Sequence, residues 1–361
     1  MNLKFNDNLL PALPIMEDLP LDRIVGITST IPIEIVFAAG YLPIDLNNIF
    51  ICDGHAYKMV EDAESAGIPR NICAWIKGIY SAARKYHIRK VISVIQGDCS
   101  NNQALMEILQ SEGIETIPFA YPHDRADKRF LHDQLVRLAN NLSIEYSKTE
   151  EMKECLDAIR AKVHEIDRLT WVENTVTGEE NHIWTVSTSD MMGDYAVFEE
   201  RAVKFLRSVQ EREPIQHDLR IGVVGIPPIC EDLYPFLSSI GAHVVFNEVQ
   251  RQFSMPYPTK TLVEQYRQYT YPYDIFSRLE DMQQEIKQRN IVGLIHYVQS
   301  FCHRHIQDKI IRKYIQLPIL TLDCDRPGPL DGAMKTRIEA FIEMLKYHES
   351  GIPAESRVEI S

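Results

Sequence analysis

Seven cysteines are the residues of this chain best able to do chemistry: Cys52, Cys73, Cys99, Cys155, Cys230, Cys302 and Cys324. Their surroundings sort them. Cys99 ends the run Val91-Ile-Ser-Val-Ile-Gln96-Gly-Asp-Cys99, an apolar stretch of strand character that a helical pattern follows. Cys302 ends Gly293-Leu-Ile-His-Tyr-Val-Gln299-Ser-Phe-Cys302 in the same context. Cys73 lies three residues after Arg70, near the start of another helical stretch. A thiol at a helix start meets free backbone N–H groups and the positive end of the helix dipole, and both favour thiolate. Thiolates bind iron or zinc and do redox chemistry. The plain reading of each is a small buried hydrophobe, because free cysteine is among the most buried residue types. Three at equivalent helix starts weigh against coincidence. Cys52, Cys230 and Cys324 also stand near strand ends, with packing as the default. Cys155 falls on the apolar stripe of a helix and reads as core. In a large chain without a secretory leader, disulfides are not expected. There is no C-x-x-C pair and no ferredoxin run, so any ligands come from distant parts of the chain.

Other groups stand near these junctions. Glu34 lies two residues after Pro32, which opens a helix. It reads as a general base or substrate anchor, or as a first-turn acid facing the helix dipole. Asp98 and Ser100 flank Cys99, either to hydrogen-bond a bound group or to cap the helix. Glu34 and Ser100 are the catalytic candidates. Gln96 and Gln299 are placed to orient the two cysteine loops. His296, His303 and His305 cluster near Cys302 without an evident metal-ligand set. Lys77 and Arg70 are candidates for phosphate contact, or simply solvated.

The elements that must position these residues alternate strand and helix, the signature of a parallel α/β fold. In the first half Tyr41–Leu46, Val91–Gln96 and Glu115–Phe119 read as strands, with helices over Arg70–Tyr86 and Asn102–Gln110. In the second half the strands are Arg220–Gly225, His243–Asn247, Gly293–Gln299 and Pro318–Leu322. Helices there cover Glu231–Ile240, Asp274–Arg289, His303–Tyr314 and Ala333–His348. From about Lys128 to Glu213 the chain is charged and helical in period, with Thr175–Asp190 as a loop. Strand, Gln-x-x-Cys, helix, strand therefore occurs twice. The reading is two α/β domains of similar topology, residues 1–127 and 215–361, joined by a helical region over residues 128–214. Each domain sets a cysteine just past the carboxyl end of a strand, where open α/β sheets bind ligands. Two such edges face to face make a cleft.

The totals bound the function. A net charge of −13 argues against a nucleic-acid binder, which needs basic surface. No stretch of about 18 apolar residues occurs, so no membrane helix is predicted. The N-terminal residues lack a basic segment followed by an apolar one, so the protein is expected to be cytoplasmic.

At these residues the sequence resembles the D-component family of 2-hydroxyacyl-CoA dehydratases, which includes relatives of benzoyl-CoA reductase subunits. The resemblance rests on Ile31-Pro-Ile-Glu34-Ile-Val-Phe-Ala-Ala-Gly40-Tyr-Leu-Pro43, Cys73-Ala-Trp75-Ile-Lys77-Gly78, Gln96-Gly-Asp98-Cys99-Ser100, Gln299-Ser-Phe-Cys302 and Thr336-Arg337-Ile-Glu339-Ala-Phe341. It implies two Rossmann-like domains and a [4Fe–4S] cluster held by Cys73, Cys99 and Cys302, with one iron free of protein thiolate. It implies an acyl-CoA-type substrate, a separate ATP-dependent iron–sulfur activator protein, and a homodimer or heterodimer. A second branch carries a double-cubane iron–sulfur cluster with more cysteine ligands, an option that Cys52, Cys230 and Cys324 keep open and that ranks second because their contexts match the family motifs less well. Two other functions compete: a non-enzymatic electron-transfer or cluster-carrier protein, and a metal-free two-domain ligand-binding protein.

Overall fold

The computed structural model describes residues 20–349. The N-terminal stretch read for a leader lies outside them. Short apolar strands build two four-stranded sheets, each wholly parallel. The first holds β1 (Ile24–Ile27), β2 (Leu42–Asp45), β3 (Lys90–Gln96) and β4 (Glu115–Ala120). Its helices are α1 (Ile33–Ala38), α2 (Leu46–Cys52), α3 (Ala56–Ser65), α4 (Ala74–Lys85) and α5 (Ser100–Ser111). The middle is α6 (Lys128–Asn141), α7 (Ser147–Arg168), α8 (Gly178–Val186) and α9 (Tyr195–Val209). The second sheet holds β5 (Leu219–Gly225), β6 (Ala242–Asn247), β7 (Gly293–Val298) and β8 (Ile319–Asp323). Around it lie α10 (Leu233–Ser239), α11 (Glu248–Phe253), α12 (Leu262–Gln268), α13 (Ile275–Gln288), α14 (His303–Ile306), α15 (Asp308–Tyr314) and α16 (Gly332–Glu349).

The strand orders are β2-β1-β3-β4 and β6-β5-β7-β8, the same order built twice. In each sheet the order reverses between the first and third strands, the switch point where doubly wound sheets open a crevice. The duplicated α/β reading is thus correct. One strand is additional: β1, four buried residues that pair with both β2 and β3.

Three differences from the sequence reading have clear causes. Residues 178–186 form α8, not a loop. Thr177 and Glu180 make a reciprocal capping box that starts the helix despite its Gly and Thr content. Helix α4 starts at Ala74, because Cys73 is extended at φ −61°, ψ 153° and caps it. Cys155 is exposed, not core: the buried stripe of α7 runs through Leu156, Ile159, Val163 and Ile166. A one-residue step on a helix is a turn of about 100°, enough to carry Cys155 off the apolar face.

The packing does not respect the two halves as separate bodies. One continuous core runs from Ile44, Phe50, Ile79 and Leu105 of the first half to Leu219, Val244, Tyr297 and Ile342 of the second. Gly78 of α4 lies against the Phe50 ring of α2 with no room for a Cβ. A buried ionic network ties the middle helices to the second sheet. Arg289 donates to both Asp167 oxygens, at 2.9 and 2.6 Å, to Glu285 at 2.6 Å and to the Val245 carbonyl at 2.7 Å. Asp167 also accepts from Asn181 at 2.8 Å.

Asp167→Ala leaves the Arg289 guanidinium buried beside one carboxylate where it had two, a change that typically costs about 3–5 kcal/mol. The denaturant midpoint is expected to fall accordingly with the m-value unchanged. A loss below about 1 kcal/mol, the range of exposed pairs, would show that the network is not what joins these layers.

Candidate metal centre and its cavity

Strand β3 ends at Gln96, and its chain must turn at once to start α5. Gly97 makes the turn at φ 98°, where a Cβ would stand 2.8 Å from Pro272 and 2.9 Å from Tyr121. Asp98 accepts from the Cys99 amide at 2.7 Å and from Asn102 Nδ2 at 3.3 Å, and Cys99 caps α5 at φ −73°, ψ 159°. The second sheet repeats the device. Strand β7 ends, Phe301 turns the chain at φ 64°, and Cys302 caps α14. Cys73 caps α4 in the same extended conformation. All three cysteines open onto one cavity of about 850 Å³ between the halves. Gln299 fixes the junction: its Oε1 accepts from the Ala74 amide at 2.9 Å, so the Cys302 loop holds the Cys73 helix. Gln96 donates to the Tyr121 carbonyl at 2.6 Å and so steadies the Cys99 loop.

The electrostatics oppose free thiolate. Burial pushes the Cys73 thiol up to about 12 and Cys99 to about 11, and raises Cys302. The mutual repulsion of the three sulfurs and Asp98 adds to this for Cys73. Backbone N–H groups of Ile76, Asn102 and Arg304 pull the other way and lose. The helix starts therefore do not by themselves ionise these thiols. A bound metal does, since a coordinating thiol is deprotonated outright.

Among the described residues no three His, Cys, Asp or Glu side chains are placed to hold a single metal ion. One zinc ion requires every sulfur within about 2.3 Å of one point. A cubane gives each thiolate its own iron, which suits three thiols spaced around a cavity. The lining fits an anionic sulfur-rich group. Gln299 Nε2, Trp75 Nε1 and Arg304 Nε, on side chains that line this cavity, are buried N–H donors without an acceptor. Buried donors are nearly always paired, and cluster sulfides are common acceptors of such bonds.

The other sequence candidates fall elsewhere. Glu34 is fully buried and does not line the cavity. It pairs with Arg160 at 2.7 Å and accepts from Gln265 at 2.6 Å and Tyr266 at 2.9 Å. Ser100 is exposed at the first turn of α5, off the cavity wall. Lys77 spends its ammonium on Glu64 and the Arg70 carbonyl, both at 2.8 Å. His296 pairs with Asp308 at 2.8 Å, while His303 is on the cavity wall. Cys52 and Cys230 also line the cavity. The expectation of no disulfide is corrected: Cys230 and Cys324 are disulfide-bonded, 94 positions apart. Both leave the carboxyl edge of the second sheet on strands that flank β7, which brings them together.

Two residues that the sequence reading passed over complete the wall. Asp45 ends β2 and caps α2, accepting from the Asn47 amide at 2.9 Å and from Ser189 Oγ at 2.7 Å. Its own amide donates to Asp190 Oδ2 at 2.8 Å, and Asp190 Oδ1 accepts from the Met192 amide at 2.9 Å. Burial and then the neighbouring Asp45 push Asp190 up to about 7, and burial raises Asp45. The readable signal was Asp45 directly before a helix, an N-cap pattern.

The family model for the 2-hydroxyglutaryl-CoA dehydratase D-component matches residues 28–345 of the 361. The chain belongs to that family. No curated protein matches it. As a D-component relative it is of dehydratase type, and the match takes in all three helix-capping cysteines and seven of the eight strands, from β2 to β8. Among the described residues no helix of this D-component protein is long and apolar enough to cross a membrane.

The carboxyl pair predicts a pH dependence. A carboxyl whose pKa is raised by folding binds its proton more tightly in the folded chain. Its stabilising contribution is present below its ordinary value of 3.8 and is lost as pH rises through the folded value near 7. Asp45→Asn keeps the caps and removes one charge. The melting temperature of the wild type is expected to fall between pH 5 and pH 8 by a few degrees more than that of the variant. Equal slopes would show that the pair is not coupled.

Proposed function

We propose that the protein is an iron–sulfur dehydratase component acting on a 2-hydroxyacyl-CoA-type thioester, with a [4Fe–4S] cluster held by Cys73, Cys99 and Cys302. One observation carries the reading: three cysteines, each capping a helix, converge on one cavity whose walls hold N–H donors without acceptors. The chemistry sets the need. In a 2-hydroxyacyl thioester the hydroxyl is on the α carbon, while the proton that must leave is on the unactivated β carbon. When bound, the cluster supplies the single electron that makes the hydroxyl a leaving group and the β proton acidic, and recovers it at the end. That electron first comes from a separate ATP-hydrolysing iron–sulfur activator.

The chain's own residues do the rest. Gln299 fixes the Cys73 helix against the Cys302 loop, which holds these two cysteines in register. Apolar walls, among them Ile51, Ile76 and Ile226, limit water around a reactive intermediate. Asp190 is a carboxyl on this wall whose proton affinity burial and Asp45 raise to about 7, and the proposal puts it in the place of Glu34 as the base for the β proton. Turnover with an activator is expected to rise with pH through about 7 in the wild type. The rise moves to lower pH in Asp45→Asn, which removes the neighbouring negative charge. A profile that does not move would exclude Asp190 as the base.

A second reading has its own observation. Cys52 and Cys230 line the same cavity, and Cys324 is bonded to Cys230. A dithiol reductant, giving two electrons and two protons and becoming a disulfide itself, converts that disulfide to two thiols, and with Cys52 they supply a second set of three for a double-cubane cluster in a low-potential reductase or electron carrier. Iron and acid-labile sulfide in anaerobically purified protein decide. About four irons per chain, lost in Cys73→Ala, Cys99→Ala and Cys302→Ala, support the dehydratase reading. About eight, halved in Cys230→Ala, support the second. Colourless, iron-free protein would leave a metal-free binding protein and end both.

A further inference from the structure

The chain buries several arginines, and all but one of those at its centre are charge-matched. Arg278 donates to both oxygens of Glu248, at 2.6 and 2.7 Å, and to Gln307 at 2.7 Å. Arg289 faces Asp167 and Glu285, and Arg251 faces Asp281 at 2.9 Å and Glu285 at 3.0 Å. Arg160 faces Glu34 at 2.7 Å. Arg304 differs. It is 3% exposed and lines the cavity two positions after Cys302. Its Nη2 donates to the Tyr271 carbonyl at 2.9 Å, and its guanidinium lies 4.2 Å from the centre of the Tyr271 ring. Its Nε is buried with no acceptor. Among the described residues no carboxylate stands within 4 Å of it, although Glu248, Asp98 and Cys302 all act on it through space.

A buried cation without a paired anion is strongly unfavourable. A ring face and one carbonyl orient such a cation but do not neutralise it. The missing partner is therefore an anion that the cavity is built to receive. Resting on the cluster reading above, we infer that Arg304 is the counter-charge of the cluster, placed to stabilise its reduced form and so to raise its reduction potential. A cluster held by three thiolates is negatively charged, and each added electron deepens that charge. A fixed guanidinium at its edge therefore favours the reduced state more than the oxidised one. Hydrogen bonds to cluster sulfur and nearby charge are the levers by which a protein sets such a potential. Gln299 Nε2, also buried, on the cavity wall and without an acceptor, is a neutral donor in the same shell. Arg304 is thus a positioning residue for the electron.

The test uses the full-length protein, purified without oxygen and with no substrate or activator present. Iron content and the midpoint potential, followed by electron paramagnetic resonance, are measured for wild type, Arg304→Gln and Arg304→Lys. Arg304→Gln is expected to keep its iron while reduction becomes at least tenfold less favourable, about 59 mV for one electron. Arg304→Lys, which keeps the charge, is expected to recover most of that shift. A full iron content with an unmoved potential in Arg304→Gln overturns the inference and leaves the cluster reading intact. Should Arg304→Gln lose its iron, the lysine variant decides. Iron retained with near-wild-type potential supports the counter-charge. Iron lost from both means that the guanidinium shape holds the wall, and the inference fails. Iron-free wild type overturns the cluster reading and this inference together.

Discussion

A parallel strand cannot turn back on itself, so each one hands its chain to a helix at the same edge of the sheet. The first turn of that helix has backbone N–H groups without partners. This constraint, imposed twice by two sheets of identical strand order, organises the molecule. The residue at each such junction is the helix cap, and at Cys99 and Cys302 that cap is extended in conformation. Cys99 and Cys302 occupy that position after the third strand of each sheet, and Cys73 caps α4, which follows α3 and not a strand. Residues so placed converge wherever two such edges meet. The shared core that packs the halves together makes them meet.

The buried charges then divide into two kinds. Glu34 with Arg160, Gln265 and Tyr266 ties α1 to α7 and α12. Arg289 with Asp167 and Glu285 ties α7 to the second sheet. In both sets the carboxylates have several donors, and removing one partner would strand a charge in low dielectric. Such groups fix the cavity walls from behind. The second kind is Arg304, on the cavity lining with an Nε that has no acceptor, and the neutral Gln299 Nε2 on the same lining also lacks one. The arginines that face carboxylates are scaffold, and the one buried arginine without a carboxylate within 4 Å among the described residues lines the cavity.

The sequence made the duplicated strand, Gln-x-x-Cys, helix unit legible because every part of it is local: an apolar run, a turn and a cap. The same locality explains the errors. β1 is four residues long and too short for a periodic signal. Gly178 and the Ser and Thr residues on either side of α8 mask it, although Thr177 and Glu180 stand in capping-box spacing. Glu34 read as a base because its partners Gln265 and Tyr266 lie 231 and 232 positions away. The Cys230–Cys324 pairing spans 94 positions and depends on which strands flank β7. Connectivity of that kind is not contained in cysteine spacing. What failed was therefore contact across the fold, and what held was the chemistry of strand ends.

The state of the thiols follows from the same architecture. Burial outweighs the helix amides, so Cys73, Cys99 and Cys302 stay protonated in the metal-free chain. Three neutral thiols are compatible with a water-poor wall, whereas three thiolates without iron would repel one another there. On the cluster reading, iron replaces three protons, so loading is coupled to proton release. It is coupled to folding as well. Cys73 and Cys99 come from the first half and Cys302 from the second, and the Gln299–Ala74 hydrogen bond crosses between them. The three cysteines do not come together until the halves have packed. On the same reading, binding energy at the cluster would stabilise the interface between the sheets, the interface that shapes the cavity.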